Sequence, residues 1–414
     1  MKIVHALAGL LLVAAASGAV SGSGLRAQLR SGSNAGAAAQ SDATLPEGVL
    51  PNDVFPDARN RLRPIKREDL DEGRRKAYDA AASASPSGVP QGVAAIRLHG
   101  SGADVRWAAP VGRRLSELAI LTTARELDQP YEWSLHEMEA LAVGLEPAII
   151  DVVRNRKPLR GVGEKEAAII EVGREILGKH KLSPASYARA VKVLGQTDLV
   201  DIVLVMAQYT GTATRLTAFN QQMPPQMKQF LPLPFTPPDD IHADSRSRLP
   251  LINVQRPEPE ALYGRGLGPM GTGPGQFVLH RAGRKTLEAH VGRRLMDLAI
   301  LVTAREGDQQ YDWTMNEIAA RNDGLGPAII DIVRDRTPPA GLGEKEAAIT
   351  QFGRELFGKH NVTAQTYARA LKIFGLEDLV DLVDLMAQHS SDAVLLTAFD
   401  QQLPAGQKPL LPVR

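Results

Sequence analysis

Glu117, Glu132 and His136 are the residues of this chain whose types and spacing suit proton transfer. Glu132 and His136 are four apart, so on a helix both project from one face. Glu117 belongs to the preceding helical segment, and an antiparallel return would bring it to the same space. Two carboxylates and an imidazole around one cavity suit general acid–base chemistry. Burial raises a glutamic acid toward neutrality, and a carboxylate beside an imidazole holds it in one tautomer. On an exposed face the same i,i+4 pair would only stabilise its helix, by about 0.2–0.5 kcal/mol.

The elements that must position these groups read as helices. Arg113 to Glu126 places Leu115, Leu118, Ala119, Leu121 and Thr122 at helical spacing. Asp128-Gln129-Pro130 breaks the pattern, and Tyr131 to Val143 forms the next helix, ended by Gly144. Pro147 to Arg156, Glu164 to His180 and Tyr187 to Leu194 continue the series. Ser183 reads as an N-cap with Pro184 at the first helical position. Thr197 is expected to cap a long last helix from Asp198 to about Phe219. No segment of the block alternates like a strand, so the fold class is all-α.

This block occurs twice. Val111 to Gln222 aligns with Val291 to Gln402 at a constant offset of 180, without a gap, and more than half of the positions are identical. Such a period is too long for a solenoid, so each copy is a domain. At the places of Glu117, Glu132 and His136 the second copy carries Asp297, Asp312 and Asn316. An amide cannot shuttle a proton at neutral pH, so the second copy is expected to be catalytically silent and to serve as a packing partner. Trp133 and Trp313 read as core or interface anchors, and His180 and His360 as helix-end residues facing the helix dipole.

The expected organisation is an export signal at 1–19, a flexible tether at 20–48, a first domain at 49–231, a Pro-rich linker at 232–250 and a second domain at 251–414. Lys2 and His5 precede the apolar run Ala6 to Ala16, with small residues at Ser17-Gly18-Ala19. That run is too short for a stable membrane span, so a periplasmic or secreted protein is expected. The 414 residues hold 48 Lys and Arg against 47 Asp and Glu, a net charge of +1, which argues against nucleic acid as a partner. With no Cys in the chain, disulfides, thiol catalysis and thiolate metal sites are excluded. The spacing of the remaining candidates matches no standard metal motif, so no metal and no cofactor are expected.

The run Arg114-Leu115-Ser116-Glu117-Leu118-Ala119-Ile120-Leu121, then Tyr131-Glu132-Trp133, His136 and Gly144-Leu145, resembles the carboxymuconolactone decarboxylase family, which shares its helical fold with the alkylhydroperoxidase D proteins. The resemblance covers Arg113 to Phe219 and again Arg293 to Phe399. In the peroxidase branch two Cys stand where this chain has Gln129 and Glu132, so the resemblance implies the decarboxylase branch. It implies two tandem alkylhydroperoxidase D-like domains forming an internal pseudo-dimer, with further homo-oligomerisation of the tandem units. The implied reaction is decarboxylation or proton transfer on a small unsaturated lactone or carboxylic acid. His136 would be the acid/base, Glu132 would orient it, and Glu117 would tune the pair or touch substrate. Arg113, Arg114 and Arg125 are candidates for the substrate carboxylate, with Tyr131 and His99 lining the pocket. The competing expectation is a non-catalytic exported helical protein that binds a small acid or a protein partner.

Overall fold

The structure, a computed structural model, describes residues 49–85, 87–223, 225, 228–233, 239–252 and 274–412. The expected signal peptide and tether lie outside these residues, as does most of the Gly/Pro-rich stretch before residue 274. Among the described residues the regular elements are all helices. The first half holds α1 (Glu72–Ala84), α2 (Gly92–Arg97), α3 (Arg113–Glu126), α4 (Pro130–Ala142), α5 (Pro147–Arg154), α6 (Glu164–Lys179), α7 (Pro184–Leu194) and α8 (Gln196–Ala218). The second holds α9 (Pro274–Leu279), α10 (Arg284–Val291), α11 (Arg293–Glu306), α12 (Gln310–Asn322), α13 (Pro327–Arg334), α14 (Glu344–Gly358), α15 (Ala364–Phe374) and α16 (Leu376–Ala398). No helix of the described residues is long and apolar enough to cross a membrane.

Local chemistry explains the boundaries. Gln129 Oε1 accepts from the Tyr131 N–H at 2.8 Å and Pro130 occupies the first turn, so α4 starts where the pattern breaks. Ser183 caps α7 by accepting from the Ser186 N–H at 3.2 Å. Thr197 is not a cap. The helix α8 begins at Gln196 after Gly195, whose φ of 84° reverses the chain at no steric cost. One helical stretch of the second half, α10, has no counterpart in the first, where the equivalent residues form turns.

Each half has its own apolar core around its long third and eighth helices, and the two cores exchange their ends. Val394, Leu395, Leu396, Ala398 and Phe399 of the second half join the core of the first. Ala218 and Phe219 of the first half join the core of the second. Phe399 meets Tyr187 edge to face at 6.3 Å, and Phe219 meets Tyr367 in the same way at 6.3 Å. The largest helix contact in the molecule, α8 on α16, runs between the halves. It is close: a Cβ on Gly211 would lie 2.4 Å from Ser391 Oγ, the side chain at its own repeat position.

Two short loops clasp this arrangement. The Arg61 N–H donates to the Phe399 carbonyl at 2.8 Å, and the Arg248 N–H to the Phe219 carbonyl at 2.8 Å. The buried guanidinium of Arg61 reaches the Leu182 carbonyl at 2.9 Å, and that of Arg248 the Val362 carbonyl at 2.8 Å. Arg248 lies in the stretch expected to be a linker, which therefore contributes to the joint between the halves.

Candidate active site

Glu117 projects from the middle of α3, and Glu132 and His136 from the first two turns of α4, which packs against α3. The structure brings all three into the interior: Glu132 and His136 are each 1% exposed and Glu117 is fully buried. The carboxylate that meets the imidazole is Glu117, with Oε2 2.7 Å from His136 Nδ1. This corrects the expectation that Glu132 orients the ring. Helical spacing put Glu132 and His136 on one face but could not say which carboxylate lies across the helix pair.

Electrostatics separates the two acids. Burial alone would raise the Glu117 carboxyl, but His136, the Arg106 guanidinium and a hydrogen bond from Arg113 outweigh it and hold it at about 2. An ionised carboxylate only accepts, so His136 Nδ1 carries the proton and Nε2 is left to exchange one. Glu132 is the opposite case. Neither of its oxygens has a hydrogen-bond partner. Burial pushes its carboxyl well above the usual range, with Arg106 opposing only in part. Burial thus favours the neutral form of Glu132, while Glu117, which acts on the same Arg106 and Tyr209, is held as an anion.

Sequence reasoning missed several members of this cluster. Arg106 donates to Glu139 Oε2 at 2.7 Å, and Arg113 donates to Glu117 Oε1 at 2.8 Å and to Glu139 Oε2 at 3.0 Å. Both guanidiniums lie over the Trp107 ring, at 4.5 and 3.9 Å. Tyr209 from α8 meets His136 edge to face at 4.8 Å, and its hydroxyl has no partner. The signal was present in the repeat: Arg106, Trp107, Glu139 and Tyr209 become Thr286, Leu287, Ala319 and His389 in the second copy. The nearest ligand atoms of Glu117, His136 and Glu139 lie within 4.8 Å of one another, a spacing that suits a cation. Arg106 and Arg113 already neutralise both carboxylates there, so the set is charge-compensated without a metal.

The other candidates are more scattered. Arg114 points away from the cluster, paired with Glu146 and, at 2.6 Å, with Glu166. Arg125 closes a loop, donating to the Arg154 carbonyl at 2.6 Å and pairing with Asp128. Tyr131 is buried with Leu135, Leu216 and Met223, and burial raises its phenol. His99 faces Gln196 at the start of α8, with its Nδ1 3.3 Å from the amide, and burial and Arg74 lower it to about 4. Only Arg113 of these five is a member of the Glu117 cluster.

The second half does not lack an imidazole. His389, at the position of Tyr209, places Nδ1 3.0 Å from Asp312 Oδ2. Asn316 donates to Asp312 Oδ1 at 2.7 Å. Asp297, at the position of Glu117, is raised to about 6 by burial and by Asp323. A separate cavity of about 90 Å3 lies between the halves, lined by His180, Thr214, Gly307, His360 and Val394 among others. It includes none of Glu117, Glu132 and His136. Compared with known proteins, the chain matches no family model, no curated protein and no solved structure.

Proposed function

We propose that the first half is an acid–base enzyme resembling the carboxymuconolactone decarboxylases, acting on a small unsaturated lactone or carboxylic acid. The observation that carries this reading is the buried Glu117–His136 hydrogen bond in one cluster with Glu132, whose oxygens have no partner and whose carboxyl burial raises well above its ordinary range. A buried carboxylate on an imidazole and a second buried carboxyl, both acting on Arg106 and Tyr209, form an acid–base set. Cleavage of the bond between the substrate and its carboxylate releases carbon dioxide and leaves the electron pair on carbon, delocalised into the conjugated carbonyl. The Glu132 hydroxyl, or His136 Nε2 once it has taken up a proton, then delivers a proton to that carbon. Glu117 holds the imidazole and balances its charge while both ring nitrogens carry protons. Arg113, a quarter exposed, is the cation best placed to meet a substrate carboxylate.

The exchanged helix ends and the paired clasps support a tandem that stands in for a homodimer. The N-terminal pattern supports export to the periplasm or beyond. One observation favours a second reading, a non-catalytic binding or scaffold protein: Glu132 and His136 are each 1% exposed, so the cluster is closed to solvent.

The test is carbon dioxide release from carboxymuconolactone and a panel of related lactone acids, measured beside His136→Asn and Glu132→Gln. The enzyme reading expects turnover that falls at least 100-fold in His136→Asn, the upper range for a positioned acid–base group being about 10⁴. Absence of release from every member of the panel would move the assignment to the binding reading.

A further inference from the structure

We propose that the second half carries its own acid–base site, in which His389 replaces the imidazole lost at position 316 and Asp312 holds it. Between the halves two exchanges occur together: His136 becomes Asn316 and Tyr209 becomes His389. In the first half these two positions face each other, with ring centroids 4.8 Å apart. Moving the imidazole from α4 to α8's counterpart therefore moves it across one shared space and does not remove it.

The carboxylates exchange roles in step. In the first half the group on α3 binds the imidazole and the group on α4 has no partner. In the second half the group on α12, Asp312, binds the imidazole, with oxygens 3.0 and 3.2 Å from His389 Nδ1. The group on α11, Asp297, keeps an Oδ2 without a partner. Each half thus holds one imidazole-bound carboxylate and one carboxyl oxygen left over, at exchanged positions. Arg106 and Glu139, which fix Glu117 in the first half, are Thr286 and Ala319 in the second, so the old arrangement has lost its supports. Asn316 takes the supporting role, donating from Nδ2 to Asp312 Oδ1 and to the Asp312 carbonyl, both at 2.7 Å.

The new site is also more open. The His389 side chain is 18% exposed, where that of His136 is 1% exposed. Arg284, exposed on the helix that only the second half possesses, acts electrostatically on both His389 and Asp297. The ion pair Arg97–Asp392, at 3.1 Å, brings α2 of the first half to the same side. With Nδ1 committed to Asp312, His389 Nε2 is the reactive atom, and the exposed guanidinium of Arg284 selects a small molecule bearing a carboxylate.

An activated-ester probe tests this without knowledge of the natural substrate. His389 Nε2 attacks the acyl carbon, the nitrophenolate leaves with the electron pair of the broken bond, and water cleaves the acyl-imidazole to acetate. The full chain is assayed with 4-nitrophenyl acetate and with its carboxylated analogue 4-acetoxy-3-nitrobenzoate. Cleavage of the carboxylated ester is expected to be the faster. His389→Asn is expected to lower it at least tenfold and Asp312→Asn to lower it severalfold. Arg284→Gln is expected to remove the preference for the carboxylated ester. Thermal unfolding of each variant identifies one that fails to fold, and the remaining two then decide. Equal cleavage by wild type and His389→Asn, or no cleavage above buffer by wild type, overturns the proposal. The outcome is independent of carbon dioxide release by the first half, so either site can fail alone.

Discussion

Glu117 and Glu132 share one buried cluster and respond to pH with opposite signs. Glu117 is held at about 2, below its unfolded value, so its contribution to stability is complete above that value and fades as pH falls toward 2. Burial makes Glu132 hold its proton to higher pH in the folded state than in the unfolded chain, which loses it near the ordinary value of about 4.3. Above that pH the unfolded chain binds fewer protons than the folded one, so the Glu132 contribution falls as pH rises. Glu132→Gln removes this term while keeping the shape of the side chain. Urea unfolding from pH 4 to pH 8 is expected to show the variant gaining on wild type as pH rises, by up to about 1.4 kcal/mol per unit. A difference that stays constant over that range would mean that Glu132 is ionised in place, and would remove it as a proton donor.

At the scale of elements, the helices from α3 to α8 were legible because two signals agreed, apolar spacing inside each helix and a capping or breaking residue at each end. Gln129, Pro130, Ser183 and Gly195 are examples. The clasps were not legible. Asp57 to Leu62 repeats as Asp244 to Leu249, but at an offset of 187, outside the register of 180 that aligns the helices. Loops of Arg, Asn and Ser also have no periodicity to reveal what they bind. Nor was His389 legible, since nothing in a repeat alignment says that positions 136 and 209 face each other. The clasps make a quantitative prediction. Arg248→Met leaves the Ala218 and Val362 carbonyls and Asp240 without their donor, and is expected to cost about 2–4 kcal/mol in urea unfolding. Arg61→Met, which strips Asp53 and the Leu182 and Ala398 carbonyls, is expected to cost a similar amount. Tyr367→Phe, which loses one hydroxyl bond of 3.2 Å to the Arg248 carbonyl, is expected to cost about 1 kcal/mol. A cost below 0.5 kcal/mol for Arg248→Met, roughly that of an ordinary surface substitution, would show that the loop only covers the joint.

The molecule as a whole behaves as one unit if its halves share a core, and the cavity between them gives a direct way to ask. It is lined in near-equal measure by both, with His180 facing its counterpart His360, Thr217 its counterpart Thr397 and Leu127 its counterpart Gly307. That last pair breaks the symmetry by a whole side chain. Gly307 has φ −84° and ψ 2°, close to the −91° and 3° of Leu127, so a side chain there is not strained. A Cβ would find no outside atom nearer than 3.6 Å. Gly307→Leu therefore fills the cavity with the residue the first half already uses. It also reduces the freedom of the unfolded chain, an effect of about 0.4–1 kcal/mol by itself. With apolar burial added, the expected gain is about 1–2 kcal/mol. Because the exchanged ends of α8 and α16 tie both cores together, calorimetry should show a single transition moved upward. A gain confined to one of two transitions would show that the halves unfold separately. A loss of stability would show that the space at Gly307 is already needed by its neighbours.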